Sequence, residues 1–142
     1  MGRLKIDMPQ TWSFKTTIEV RVTDLNYGNH MANQQFLAYA QEARVKFFER
    51  YEFTELDFGG TSLIQADAAI VFKGEGHLAD QVQIEVAAEK VGGSSFNLYY
   101  RFTNLTKNRP MAEIRTVLVC FDYDKGKPVP LTQLALNSGI FS

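Results

Sequence analysis

The sequence predicts an α+β domain: one long central helix wrapped by a curved antiparallel sheet of five strands. Three observations carry this. A single stretch repeats its apolar residues at helical spacing, the other long apolar runs alternate at period two, and the breaks between those runs are too short to hold crossover helices.

The first run, KTTIEVRVT, alternates Ile18, Val20 and Val22 with Thr17, Glu19 and Arg21 and reads as a half-buried strand. From Asn33 to Arg50, Phe36, Leu37, Ala40, Ala43, Phe47 and Phe48 recur at spacings of three and four, which predicts a helix with a wide buried stripe. Gln34, Gln41, Lys46, Glu49 and Arg50 fall on its wet face, and Asn33 is placed to cap its start. Four strands follow, in SLIQADAAIVFK, QVQIEV, SFNLYYRF and AEIRTVLVCFDYD. Gly92-Gly93 predicts a hairpin turn with paired positive φ angles, Asn108-Arg109-Pro110 breaks the next pair, and DYDKGKPVP ends the last strand. A sheet curled around one helix must cover its outer face some other way. Tyr99, Arg101, Val117 and Val119 are candidates for that face, which implies self-association.

The 142 residues fit one domain, 1–142, with residues 1–14 as an N-terminal arm and 132–142 as a C-terminal tail. Fifteen basic residues against sixteen acidic, with no basic run, argue against a nucleic-acid partner. MGRLKIDMPQ lacks the apolar core of a secretory leader, so none is expected; no stretch is long and apolar enough to cross a membrane, and the single Cys120 in the apolar run TVLVCF reads as a buried thiol. The expectation is a protein of the reducing cytoplasm with no membrane partner, no metal and no disulfide.

The polar residues concentrate in one place. In TDLNYGNHMANQQF, Asp24, Asn26, Asn29, His30 and Asn33 crowd a short loop immediately before the apolar helix. Plain structural roles are open to them: an Asx-turn for Asp24, turn positions for Asn26 and Asn29, a satisfied structural histidine for His30 and the helix cap for Asn33, with positive φ for Gly28 between them. Glu42 can pair with Lys46 one turn on, and His77 in KGEGHLAD reads as a solvated loop residue.

The segment VRVTDLNYGNHMANQQFLAYAQEARVKFF resembles the opening signature of hotdog-fold acyl-CoA thioesterases of the 4-hydroxybenzoyl-CoA thioesterase type. There a strand ending in Val-Arg leads to two aspartates one residue apart, a Gly-His-Val-Asn-Asn-like turn and a helix carrying Glu-Ala-Arg, matched here by Glu42-Ala43-Arg44. VGGSSFNLYYRF and KGKPVPL extend the likeness, which covers Lys15 to Leu131. By position, Asp24 matches the first aspartate, Asn26 the second, His30 the turn histidine and Asn33 the residue whose backbone amide opens the helix. The chain departs at Asn26, where the family's attacking carboxylate is an amide, and at Gly28-Asn29, since the family glycine abuts the histidine.

The resemblance implies a thioester hydrolase acting on an acyl thioester of coenzyme A or of an acyl carrier protein, without a cofactor of its own. It also implies a homodimer or homotetramer with sites between subunits. Thioester hydrolysis builds negative charge on the carbonyl oxygen, which helix-terminal N–H groups such as that of Asn33 stabilise. Water must also lose a proton. Asp24 is the first candidate base, His30 the second and Glu42 the third, whereas Asn26 can orient water or carbonyl but cannot accept a proton. Two other readings stand beside this one: a non-catalytic hotdog dimer that binds an acyl thioester or another protein, and a 3-hydroxyacyl-thioester dehydratase pairing His30 with Glu42.

Overall fold

A computed structural model describes residues 3–141. Residues 1, 2 and 142, the ends of the expected arm and tail, lie outside the described residues. In chain order the elements are β1 (Phe14–Glu19), a one-turn 3-10 helix (Val22–Asp24), α1 (Asn33–Glu49), β2 (Ser62–Phe72), β3 (Gln81–Lys90), β4 (Ser95–Asn104), β5 (Arg109–Asp122), β6 (Lys127–Pro128) and α2 (Gln133–Asn137). The five expected strands form the sheet in the order β1-β3-β4-β5-β2, all antiparallel. The sheet gains a sixth, two-residue strand, β6, against the end of β5.

Period-two alternation sets the register. Phe14 pairs with Val86, Val86 with Tyr100, Tyr100 with Ile114, and Ile114 with Ile70, so one row of side chains crosses the whole sheet on its inner face. Val86, Tyr100 and Ile114 in that row are fully buried. A slip of one residue in any strand would turn this row to solvent, so burial itself enforces the pairing. Against the row lies α1, with Phe36, Ala40, Ala43, Phe47 and Phe48 buried as its period predicts.

Several expectations change. Leu37 was expected in the stripe but is 42% exposed, while Tyr39 and Arg44 take buried positions. They can do so because their polar ends find partners. Arg44 bonds Glu55, the Gln65 side chain at 3.3 Å and the Tyr100 hydroxyl at 3.0 Å, and that hydroxyl meets Thr116 at 2.9 Å. The first strand ends at Glu19, three residues before Val22, because the chain turns there into the 3-10 helix and leaves Val22 exposed. Neither Gly92 nor Gly93 takes a positive φ. The longer Val91–Ser95 loop closes through two N–H groups on the Ser95 carbonyl, whereas between β4 and β5 it is Asn108 that sits at φ 55°.

On the outer face, Tyr99 is 7% exposed and bonds Glu89 at 3.0 Å, and the Arg101 guanidinium lies 4.8 Å from the Trp12 ring of the N-terminal arm. The arm thus touches this face at Arg101, whose side chain stays 45% exposed. The C-terminal segment is likewise packed. Thr132 caps α2 by accepting from Ala135 N–H at 3.2 Å, Ile140 is fully buried, and Phe141 meets Phe96 edge-on at 5.2 Å. Among the described residues no helix is long and apolar enough to cross a membrane.

Candidate active site

The polar loop is built around one carboxylate. Asp24 closes the 3-10 turn by accepting from the Arg21 backbone N–H at 3.0 Å and from its guanidinium at 3.2 and 3.1 Å. The Tyr39 hydroxyl, reaching across from α1, adds a fourth bond at 2.5 Å. The Asp24 backbone carbonyl accepts from Ala32 N–H at 2.9 Å, so the two ends of the loop are pinned together. Burial alone pushes the Asp24 carboxyl up, but the bonds from Arg21 and Tyr39 outweigh it and hold the carboxyl below its ordinary value. Burial, then the same carboxylate, drives the Tyr39 phenol well above its own. A buried carboxylate, 2% exposed and held below its ordinary value, is a poor proton acceptor at neutral pH. Asp24 thus falls behind His30 among the candidate bases.

Between those pinned ends the chain makes a tight turn. Asn29 N–H bonds the Asn26 carbonyl at 3.0 Å, Asn26 N–H bonds the His30 carbonyl at 3.0 Å, and Gly28 N–H bonds the Asn26 side-chain oxygen at 2.8 Å. This is an Asx-turn, and it leaves Asn26 exposed on the loop. The positive φ expected of Gly28 belongs to Asn29, at 65°. Asparagine is among the few residues other than glycine that tolerate this region, which explains an asparagine directly before the histidine.

The helix starts without a side-chain cap. Ala32, not Asn33, holds the cap position, with extended φ −69° and ψ 147°, and its methyl group offers no acceptor. Asn33 is the first helical residue, corrected from cap to first turn. Gln35 N–H is taken by the Ala32 carbonyl at 3.0 Å, while the N–H groups of Asn33 and Gln34 precede any intrahelical acceptor. Beside them lies a cavity of about 280 Å³ lined by His30, Met31, Asn33, Phe36, Phe72 and Glu75, among others. Phe36 and Phe72 meet edge to face at 5.2 Å and give it an apolar wall. The His30 ring is half-buried, with Nδ1 at 3.4 Å from the Met31 carbonyl. A proton on Nδ1 can point to that carbonyl, which leaves Nε2 its lone pair.

Of the five residues singled out from sequence, His30 and Asn33 meet in this cavity. Asp24 and Asn26 shape the loop behind it. Glu42 lies on the exposed side of α1 and pairs with Lys46 at 3.0 Å, so it is not brought to His30. Sequence reasoning missed Arg21 and Tyr39, whose contacts with Asp24 join residues up to fifteen positions apart. It also missed Glu75, the carboxylate on the cavity wall, which lies in the loop after β2. The glycines flanking Glu75 were the signal, since they mark a loop pressed against its neighbours.

One long helix wrapped by a curved antiparallel sheet, its N-terminus opening on a cavity beneath a polar turn, is the hotdog architecture. Residues 20–136 match the model of the thioesterase-like superfamily, and the chain belongs to that family. A search of curated proteins finds no match. Among solved structures the chain is similar to Slr0204, a 1,4-dihydroxy-2-naphthoyl-CoA thioesterase from Synechocystis, with a TM-score of 0.81 at 20% identity over 88% of this chain and 93% of that one. It is also similar to a thioesterase from Thermus thermophilus complexed with coenzyme A and zinc, with a TM-score of 0.78 at 24% identity over 90% and 98%. The probable thioesterase YbaW from Escherichia coli gives 0.77 at 20% identity over 90% and 99%. At these identities the likeness establishes the fold.

Proposed function

We propose that the protein is an acyl-CoA thioesterase that hydrolyses its substrate at the N-terminus of α1. The observation that carries the reading is the cavity in which His30 meets the uncapped first turn of that helix, in a chain of the thioesterase-like superfamily. The thioester oxygen accepts from the N–H groups of Asn33 and Gln34, with the helix dipole behind them, and the charge that develops there is stabilised by donors already in position. His30 Nε2 takes a proton from water as its oxygen attacks the carbonyl carbon. The carbon–sulfur bond then breaks, and the same proton passes to the leaving sulfur, giving free acid and free thiol. Phe36 and Phe72 receive the start of the acyl group, and Glu75 is the second candidate base. Asn26 holds the turn rather than supplying a nucleophile, which removes the need for a carboxylate at that position.

The assembly is part of the proposal. β2 is an eleven-residue edge strand, and Ala66, Asp67 and Ala68 near its middle are exposed. Beyond Leu63, whose N–H is held by the Glu55 carbonyl, that edge faces no other strand and is a template for one, and a second copy of the chain is the occupant that closes it by two-fold symmetry. A cytoplasmic setting accords with the free, buried Cys120.

The test is release of free thiol by the purified protein across a panel of short, long, branched and aromatic acyl-CoAs. Turnover of at least one class is expected, with His30→Gln lowering its kcat by about 10²–10⁴-fold. No turnover of any member by the wild-type protein overturns the reading.

A further inference from the structure

The family's carboxylate position is an amide in this chain: Asn26 closes an Asx-turn through its side-chain oxygen and stays exposed on the loop. Among the described residues lining the cavity at the helix N-terminus, Glu75 alone carries a carboxylate, and it comes from the loop after β2. That loop is anchored on both sides of Glu75. Before it, Lys73 and Gly74 donate backbone N–H groups to the Met111 carbonyl at 2.7 and 3.1 Å; after it, the Gly76 carbonyl accepts from Met31 N–H at 2.7 Å. The flanking glycines permit this approach. A Cβ at Gly74 would lie 2.6 Å from the Pro110 carbonyl oxygen, and one at Gly76 would lie 2.9 Å from the Met111 methyl and 3.3 Å from the Met31 Cβ. The Glu75 backbone is thereby tied to the residue just before the helix cap.

Behind Glu75 stands the second of the chain's two histidines. His77 Nε2 lies 3.7 Å from a Glu75 carboxylate oxygen. His77 Nδ1 faces the Lys107 ammonium at 3.4 Å, nearer than the Asp80 oxygen at 4.0 Å. An ammonium only donates, so it meets Nδ1 at its lone pair, and the proton of the neutral ring sits on Nε2, on the side of Glu75. Lys107 is held in turn by Asp80, which is 4% exposed, at 3.0 and 3.2 Å. Burial pushes the Asp80 carboxyl up, but bonds from the Asn104 amide at 2.8 Å, the His77 backbone N–H at 3.0 Å and Lys107 outweigh it and keep the carboxyl below its ordinary value. Asp80 is thus a fixed anion at the root of a series that runs through Lys107 and His77 to Glu75 and ends in the cavity of His30. Lys73 and Arg109 line the neighbouring recess, but Lys73 is drawn to Glu113 at 3.2 Å, and among the described residues it is His77 that pairs with Glu75.

We infer that Glu75 supplies the carboxylate this chain lacks at Asn26: it orients the attacking water for His30, and His77 is the residue that positions it. This rests on the thioesterase reading above and gives Glu75 a part of its own beside His30. Of the water's two protons, His30 takes one and returns it to the leaving sulfur. Glu75 accepts a hydrogen bond from the other, which stays on the oxygen until the product acid ionises. Held through both protons, the water presents a lone pair to the carbonyl carbon. The 3.7 Å between His77 and Glu75 suits a catalytic contact that closes to a hydrogen bond when substrate binds.

The experiment is a double-mutant cycle on the full-length protein with its best acyl-CoA. It measures kcat and KM for the wild type, Glu75→Ala, His77→Ala and the pair, with Glu75→Gln and His77→Gln as conservative variants. The Glu75 and His77 side chains are 62% and 47% exposed, so truncation spares the core. Thermal melts check each variant, and serine replaces alanine in any that does not fold. Expected is a fall in kcat of about 10²-fold for Glu75→Ala and about tenfold for His77→Ala, with KM little changed. Glu75→Gln recovers part of the loss, because an amide oxygen still accepts from water, and His77→Gln does so because its amide still donates to Glu75. In the Glu75→Ala background, His77→Ala has no further effect. A wild-type rate in Glu75→Ala overturns the role of Glu75 and leaves the thioesterase reading intact. Glu75→Gln as inactive as Glu75→Ala overturns orientation in favour of proton transfer to Glu75. A His77→Ala loss that persists undiminished without Glu75 overturns the positioning. A wild type that hydrolyses no acyl-CoA overturns the thioesterase reading and this inference with it.

Discussion

At the scale of single residues, the loop before α1 divides into groups that build and groups that face the cavity. Asp24 looked like the reactive carboxylate because the aspartate itself is visible in the sequence and its partners are not. Its four bonds come from Arg21, three residues back, and Tyr39, fifteen residues on, and only folding brings the latter near. The consequence is a pH dependence of stability. With its carboxyl below the ordinary value in the folded state, Asp24 contributes fully above the unfolded carboxylate pKa of about 3.9 and loses that contribution as pH falls through the folded value. Asp24→Asn should cost about 1–3 kcal/mol at pH 7, since an amide can replace only part of the bonding to Arg21 and Tyr39. Because Asp80 shares the same downward shift, the variant should keep some acid sensitivity but less than the wild type. Urea unfolding at pH 7 and pH 3 measures both. Equal acid losses in the two proteins would show that Asp24 ionises alike folded and unfolded.

At the scale of elements, the strong periodic segments were legible because period and burial are two views of one constraint. The alternation in QVQIEV and SFNLYYRF places Val82, Ile84, Val86, Phe96, Leu98, Tyr100 and Phe102 on the inner face, and all are fully buried. The misread details lie where a side chain finds a remote partner or the chain changes direction. Arg44 could not be read as buried, since Glu55, Gln65 and Tyr100 gather around it only in the folded sheet. The two-residue β6 and the five-residue α2 are too short to show a period at all. β2 illustrates what an element implies beyond itself. Its outer edge faces no other strand, although Leu63 N–H is taken by the Glu55 carbonyl at 2.7 Å and the ladder to β5 shifts register between Gln65 and Asp67, and neither proline nor lysine, both common guards of exposed edges, interrupts it. A second copy should pair there, and light scattering at micromolar protein should give about twice the chain mass of 16.1 kDa, or a multiple of that dimer. A mass of one chain would leave the edge without its partner.

At the scale of the whole molecule, the sheet's chief service is to hold the first turn of α1 open. The loop is pinned at Asp24, the turn behind it is closed by Asn26 and Asn29, and Met31 N–H is tied to the Gly76 carbonyl at 2.7 Å, so the helix begins where β2 and its following loop complete the cavity. Alanine at the cap position is poor for helix stability, by about 0.5–2 kcal/mol relative to a capping side chain, and it leaves the terminal N–H groups free for a ligand. The central claim is that those N–H groups stabilise the oxyanion. Asn33→Pro tests it most directly. Proline is favoured at the first helical position, and the extended Ala32 before it already has the backbone that proline requires, so the N–H can be removed with the helix intact. The measurement is kcat of Asn33→Pro against wild type on the best acyl-CoA, with circular dichroism on both. A fall of about 10²–10³-fold with unchanged helix content is the expected result; a folded variant that turns over at the wild-type rate would contradict the claim.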